Sequence, residues 1–138
     1  MTFEAVDAKT TLGPLVSRRQ QEQVLGYIEG AVADGARLVT GGGKPLDPAL
    51  AGGNFVMPTV FADARPEWTI CQEEVFGPVL TVTPFTDEAE ALRLANGVEF
   101  GLAGAVFTRD IARALRVTRR MQAGQIYVNG YFSPSMVE

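Results

Sequence analysis

The second half of the chain constrains the fold most, because apolar strands alternate there with amphipathic helices. "VLTVTPF" (79–85) has strand composition. "DEAEALRLAN" follows with helical spacing, and Asp87 and Glu90 are placed as an N-terminal box. "LAGAVF" (102–107) is short and almost wholly apolar. "TRDIARALRVTRRMQAG" is helical again. Thr108 is its expected cap, Ile111, Ala114, Leu115, Thr118 and Met121 share one face, and Gly124 is its stop. "QIYVN" closes the series as a strand. Apolar strands separated by helices build a parallel sheet with right-handed crossovers and both faces covered. The expected fold class is α/β, a three-layer αβα arrangement with a mostly parallel sheet.

The first half is looser. "SRRQQEQVLGYIEGAVADG" has an apolar stripe of Val24, Leu25, Ile28, Ala31 and Val32 at helical spacing. Ser17 and Gln20 form a capping-box pattern, and Gly35 is placed to end the helix. "ARLVTGGG" is expected to be a strand running into a glycine loop, and "KPLDPALAGG" an exposed, turn-rich loop. "NFVMPTVF" has extended character, with Pro58 suggesting an edge or a bend. Neither end offers a closing element, so both look cut rather than finished.

Composition narrows the function classes. The 138 residues suit one ordinary domain, and 46% hydrophobic with 20% charged is globular. A net charge of -4 and the lack of a basic run argue against nucleic acid as partner. No signal peptide or bilayer-spanning stretch is present, so no membrane partner is expected and a cytoplasmic location is the simplest expectation. With no histidine and one cysteine, Ser-His, Cys-His and His-metal chemistry are excluded and no metal site is expected.

"GGGK" (41–44) is not a phosphate loop: position 38 is Leu where a glycine is required, and position 45 is Pro where Ser or Thr is required. No G-x-G-x-x-G follows a strand, so the chain carries no dinucleotide fingerprint of its own. In "ICQEEVFGPVL", Cys71 is a candidate nucleophile, but neighbouring Glu73 and Glu74 are expected to raise its pKa and no histidine can activate it. A structural or incidental cysteine is the better reading. Adjacent glutamates diverge on either a strand or a helix, so they do not share one site. One is expected in solvent or a salt bridge, the other directed inward with Phe76. A carboxylate beside an aromatic ring suits a ribose clamp; a capped turn fits the same residues, and local pattern leaves both open. The arginines at 109, 113, 116, 119 and 120 fit a solvated helix face better than an anion-binding one.

Taken together, "EEVFGPVL", "ANGVEFGLAGAVFTRDIARALRV" and "MQAGQIYVN" resemble the C-terminal part of the aldehyde dehydrogenase superfamily. "GPLVSRRQQEQVLGYIEGAVADGARLVTGGG" and "FVMPTVFADA" are similar to the stretch before it. The resemblance runs in order from about Gly13 to Tyr131. It implies a poorly matched extension over 1–12 and a partial catalytic domain over 13–138. It also implies oxidation of an aldehyde to an acid with NAD or NADP, through a cysteine nucleophile and a glutamate base that lie upstream in the family. Gly124-Gln125 leads to Tyr127 rather than to the family's nucleophilic cysteine, and Cys71 falls where the family has no catalytic residue. No catalytic residue is therefore carried over.

Glu74 matches the glutamate that binds the nicotinamide-ribose hydroxyls, and Phe76 the aromatic beside it. Asn129 and "GYFSP" match the approach to the substrate tunnel, making Phe132, Ser133 and Pro134 candidate substrate-lining residues. The resemblance implies a chain inactive by itself, with no cofactor bound alone and an aldehyde substrate only in the intact enzyme. Two alternatives remain: a non-catalytic remnant or interaction module that self-associates, and one half of a split enzyme that pairs with a missing half.

Overall fold

A computed structural model describes residues 12–130. The chain divides into two compact units, Met1–Pro84 and Phe85–Glu138. It is α/β, and among the described residues two of the three strand pairings are parallel. Among the described residues the strands form a three-stranded sheet in the first unit and a two-stranded sheet in the second.

In the first unit, helix α1 spans Arg18–Ala33. Ser17 caps it, its Oγ accepting from the Gln20 amide at 3.2 Å. Val24, Ile28 and Ala31 of the expected stripe are buried, whereas Val32 is half exposed. The buried polar exception is Gln21, whose Nε2 donates to the Phe55 carbonyl at 2.8 Å. Gly35 ends the helix with a φ of 94°.

Strands β1 (Arg37–Thr40), β2 (Thr59–Ala62) and β3 (Val79–Val82) lie in the order β1-β2-β3. β2 pairs antiparallel with β1 and parallel with β3. Pro58 marks no edge: it stands immediately before the central strand, where its missing N–H costs no ladder bond. A one-turn helix, α2 (Thr69–Gln72), was not legible in the sequence because four residues carry no periodicity. Val24, Ile28, Val56, Phe61 and Ile70 form the core with Ala31 and Ala36. Burying Val24, Ile28 or Phe61 completely is worth about 1.5–3 kcal/mol each. The parallel register places Leu80 beside Val60 and Val82 beside Ala62, on the face opposite Phe61, where Leu80 and Val82 are exposed.

The triple glycine has a packing explanation. Gly41 takes a φ of 78°, and a Cβ there would stand 2.3 Å from the Pro58 carbonyl oxygen. The next amide, Gly42, donates to the Thr59 hydroxyl at 2.9 Å. Glycine is needed because two backbone segments touch, as the loop reading of "GGGK" expects.

In the second unit, α3 (Glu88–Ala95) is capped by Asp87, which accepts from the Glu90 amide at 2.8 Å. The Glu90 carboxylate turns back to the Thr86 amide and hydroxyl at 2.8 and 2.7 Å. Strands β4 (Ala103–Val106) and β5 (Gln125–Val128) pair in parallel, with α4 (Ile111–Arg120) between them in sequence. The cap of α4 is Asp110, not Thr108. Its carboxylate accepts from the Ala112 and Arg113 amides at 2.8 and 3.1 Å, while Thr108 Oγ1 only accepts from the Asp110 amide at 3.1 Å. A carboxylate this close satisfies two orphan N–H groups and complements the helix dipole. Helical residues end at Arg120, before Gly124, and Asn96 holds that end by donating to the Arg120 carbonyl and accepting from the Gln122 amide.

The expected face of α4 is split. Ala114 is buried together with Val117, whereas Ile111 and Leu115 are exposed. The apolar arc of this helix is wider than the contact the unit itself supplies. Two of its arginines pair with Glu88, Arg116 at 2.8 Å and Arg113 at 3.6 Å. Among the described residues no helix is long and apolar enough to cross a membrane.

Candidate functional site

The segment from α2 to β3 turns sharply, and the sequence dictates how. Ile70 is buried in the core of the first unit, and Cys71, Val75 and Val79 pack against that core. Anchoring Val75 between Glu74 and Phe76 leaves both of those side chains outside, and both are exposed. This corrects the expectation that one glutamate turns inward with Phe76, whose residue surface is 70% accessible. Packing of the partly buried valine against the core sets which side chains face solvent.

Glu73 and Glu74 part as expected. Glu73 accepts a 2.6 Å hydrogen bond from the Tyr27 hydroxyl of α1. That bond, with smaller contributions from desolvation and the carboxylate charge, raises the Tyr27 pKa. Glu74 accepts no hydrogen bond and makes no ion pair among the described residues. It is the free carboxylate of the pair.

Phe76 has a φ of 50°, a left-handed conformation that a bulky residue rarely adopts. Two contacts with α1 hold it. Gln20 Nε2 donates to the Phe76 carbonyl across 56 residues of sequence. Gly77 lies so close to α1 that a Cβ there would meet both methyl groups of Val24, at 2.6 and 2.7 Å. The turn then joins the sheet: the Pro78 carbonyl accepts from the Thr59 amide at 2.9 Å. Gln20 and Gly77 were not legible as site residues. Gln20 fits a capping box, whose side-chain half the structure does not form; the amide reaches Phe76 instead. No local pattern signals a contact between residues so far apart.

Cys71 is half buried, and its thiol pKa is raised, chiefly by burial and also by the charge of Glu67, against a lowering hydrogen bond with Thr81. The expected direction holds, but the cause is desolvation rather than Glu73 and Glu74. A thiol raised in this way is a poor nucleophile.

Asn129, at the end of β5, has a φ of 53°. Its side chain accepts from the Thr108 amide at 2.8 Å and donates to the Thr108 carbonyl at 2.9 Å, so the chain leaves the strand at a fixed point. Phe132, Ser133 and Pro134 lie outside the described residues.

The aldehyde dehydrogenase family matches residues 2–138. A betaine aldehyde dehydrogenase of Agrobacterium fabrum is 54% identical over 128 residues, covering 93% of this chain and 26% of that protein. A 5-carboxymethyl-2-hydroxymuconate semialdehyde dehydrogenase of Escherichia coli is 48% identical over 132 residues, covering 94% of this chain and 28% of its own length. The crystal structure of a Mycobacterium tuberculosis aldehyde dehydrogenase complexed with NAD+ superposes with a TM-score of 0.88 at 41% identity, over 93% of this chain and 26% of that one. The chain thus spans about a quarter of the length of the relatives it matches.

Proposed function

The chain belongs to the aldehyde dehydrogenase family, and from that premise we propose that residues 13–138 are the part of an NAD(P)-dependent aldehyde-oxidising enzyme that receives the nicotinamide ribose. The reading rests on the 74–76 turn. Glu74 is exposed and unpartnered among the described residues, and Phe76 is exposed and held in a left-handed conformation. These groups fit a sugar bearing a flat ring: the carboxylate accepts from vicinal hydroxyls, and the aromatic face packs on the ring. When bound, the dinucleotide accepts the hydride that leaves the aldehyde. Glu74 would orient the ribose and Phe76 would limit where the attached ring lies; neither transfers a proton. Phe132, Ser133 and Pro134 line the aldehyde path in this reading.

The nucleophile and general base are assigned to no residue of this chain. Cys71 is half buried with a raised pKa, and Glu73 is engaged by Tyr27. The 138 residues alone are therefore expected to oxidise no aldehyde and to retain no dinucleotide. Betaine aldehyde and a semialdehyde, for which its relatives are named, are the substrates to try. Purified chain mixed with NAD+ and either aldehyde should form no NADH. NADH formation that Cys71→Ser abolishes would overturn the assignment.

The exposed apolar residues favour an assembly role beside this one. Ile111 is 71% exposed and lies one helical turn from exposed Leu115, and Leu80 and Val82 are exposed on their sheet. Such surfaces need cover from the remainder of the family fold, in one polypeptide or as a separate half, or from another copy of the chain. Self-association of the isolated chain follows, and light scattering checks it; a clean monomer at high concentration contradicts it.

A further inference from the structure

We infer that Gln20 is a positioning residue for the ribose-receiving turn: its side-chain amide holds the Phe76 carbonyl and so keeps Phe76 in its left-handed conformation. The inference rests on the proposed role of Phe76 only for its functional consequence; the clamp itself stands on geometry.

Two local preferences are given up at this point. A phenylalanine with a φ of 50° is strained, and the strain needs an offset. Burial of the ring does not supply it, because the residue is 70% exposed. Gln20, in turn, occupies the third residue of α1, where its side chain would ordinarily close a capping box on the Ser17 amide. It leaves that amide and donates to Phe76 instead. The cap survives through Ser17 alone, whose hydroxyl accepts the Gln20 amide at 3.2 Å. The groove beside this contact is lined by Ser17, Arg19, Gln20, Gln23 and Phe76, so the clamp lies in the wall next to the ring. Gly77, seated on Val24, fixes the height of the turn above α1. Gln20 fixes its twist, because a carbonyl bonded to a helix cannot rotate with the peptide plane that a change in φ or ψ would swing.

The test is Gln20→Met, which keeps length and helix propensity but removes the donor, against Gln20→Lys, which keeps a donor of similar reach. Three-bond NMR couplings of the 138-residue chain report the sign of the Phe76 φ. We expect a positive φ in the parent chain and in Gln20→Lys, and averaging toward negative values in Gln20→Met. A positive φ retained in Gln20→Met overturns the clamp. In an active aldehyde-oxidising protein containing this region, Gln20→Met should raise KM for the dinucleotide about three- to tenfold, the effect of one net hydrogen bond. The aldehyde KM should be unchanged, and Gln20→Lys should restore the dinucleotide KM. If φ changes while that KM does not, the clamp stands and the ribose role of Phe76 falls.

Discussion

Replacing Gly77 by alanine would put a methyl group where Val24 already sits. The new Cβ would stand 2.6 and 2.7 Å from the two Val24 methyl carbons, against an optimum of about 3.5–4.0 Å. Something must move by roughly 1 Å. Val24 is fully buried in the core with Ile28 and Phe61, and a helical valine strongly prefers one rotamer. Overpacking of this kind costs about 1–3 kcal/mol. Alanine returns about 0.4–1 kcal/mol by restricting the unfolded chain. The net loss expected for Gly77→Ala then runs from about 0 to 2.6 kcal/mol, near 1.3 at its middle. Urea unfolding followed by fluorescence of Trp68, the sole tryptophan, reads the first unit, because that ring packs against its core. The control is the same substitution with Val24→Ala, which opens the space the methyl needs. The alanine at 77 should then cost little. A midpoint raised by Gly77→Ala, or an equal cost with and without Val24, would refute the steric argument.

Cys71→Ser, at a half-buried thiol with a raised pKa, should leave the activity of an intact aldehyde-oxidising protein within about twofold, a difference of roughly 0.4 kcal/mol in barrier; steady-state rates check this. In the second unit, the Glu88 pKa is held low chiefly by the hydrogen bond from Arg116. A carboxyl group depressed on folding contributes stability above its unfolded pKa and loses it as pH falls through the folded one. Amide exchange in α4 should therefore speed up as pH falls below the ordinary glutamate range, after correction for intrinsic rates. Glu88→Gln should weaken that dependence, leaving the share carried by Asp110, whose pKa is lowered by the Arg113 and Ala112 amides at the start of α4, and an identical pH profile in the variant would contradict the pairing.

The elements with several turns of rhythm were legible in the sequence. The stripe of α1 is buried at Val24, Ile28 and Ala31, and Ser17 caps it. Short elements and long-range choices were not. α2 is too brief for periodicity, and Asp110 displaced Thr108 as a cap because it stands nearer the free amides. The α4 face expected at Ile111, Ala114, Leu115, Thr118 and Met121 is fully buried only at Ala114, together with Val117, which the expectation left out, because the buried edge depends on packing partners that a helical wheel does not contain. At the site, the divergence of Glu73 and Glu74 followed from backbone geometry. The outward direction of Phe76 and its hold by Gln20 did not, since both arise from contacts with a helix some fifty residues earlier.

The central claim is that Glu74 receives the cofactor ribose, and dinucleotide kinetics of Glu74→Gln test it most directly. In an active aldehyde-oxidising protein carrying this region, a charge-assisted hydrogen bond is worth about 1.5–3 kcal/mol. The substitution should therefore lower kcat/KM for NAD(P) about ten- to a hundredfold. Cys71→Ser in the same protein should lie close to the parent. Glu74→Gln with parental dinucleotide kinetics, alongside a Cys71→Ser enzyme that no longer turns over, would contradict the account.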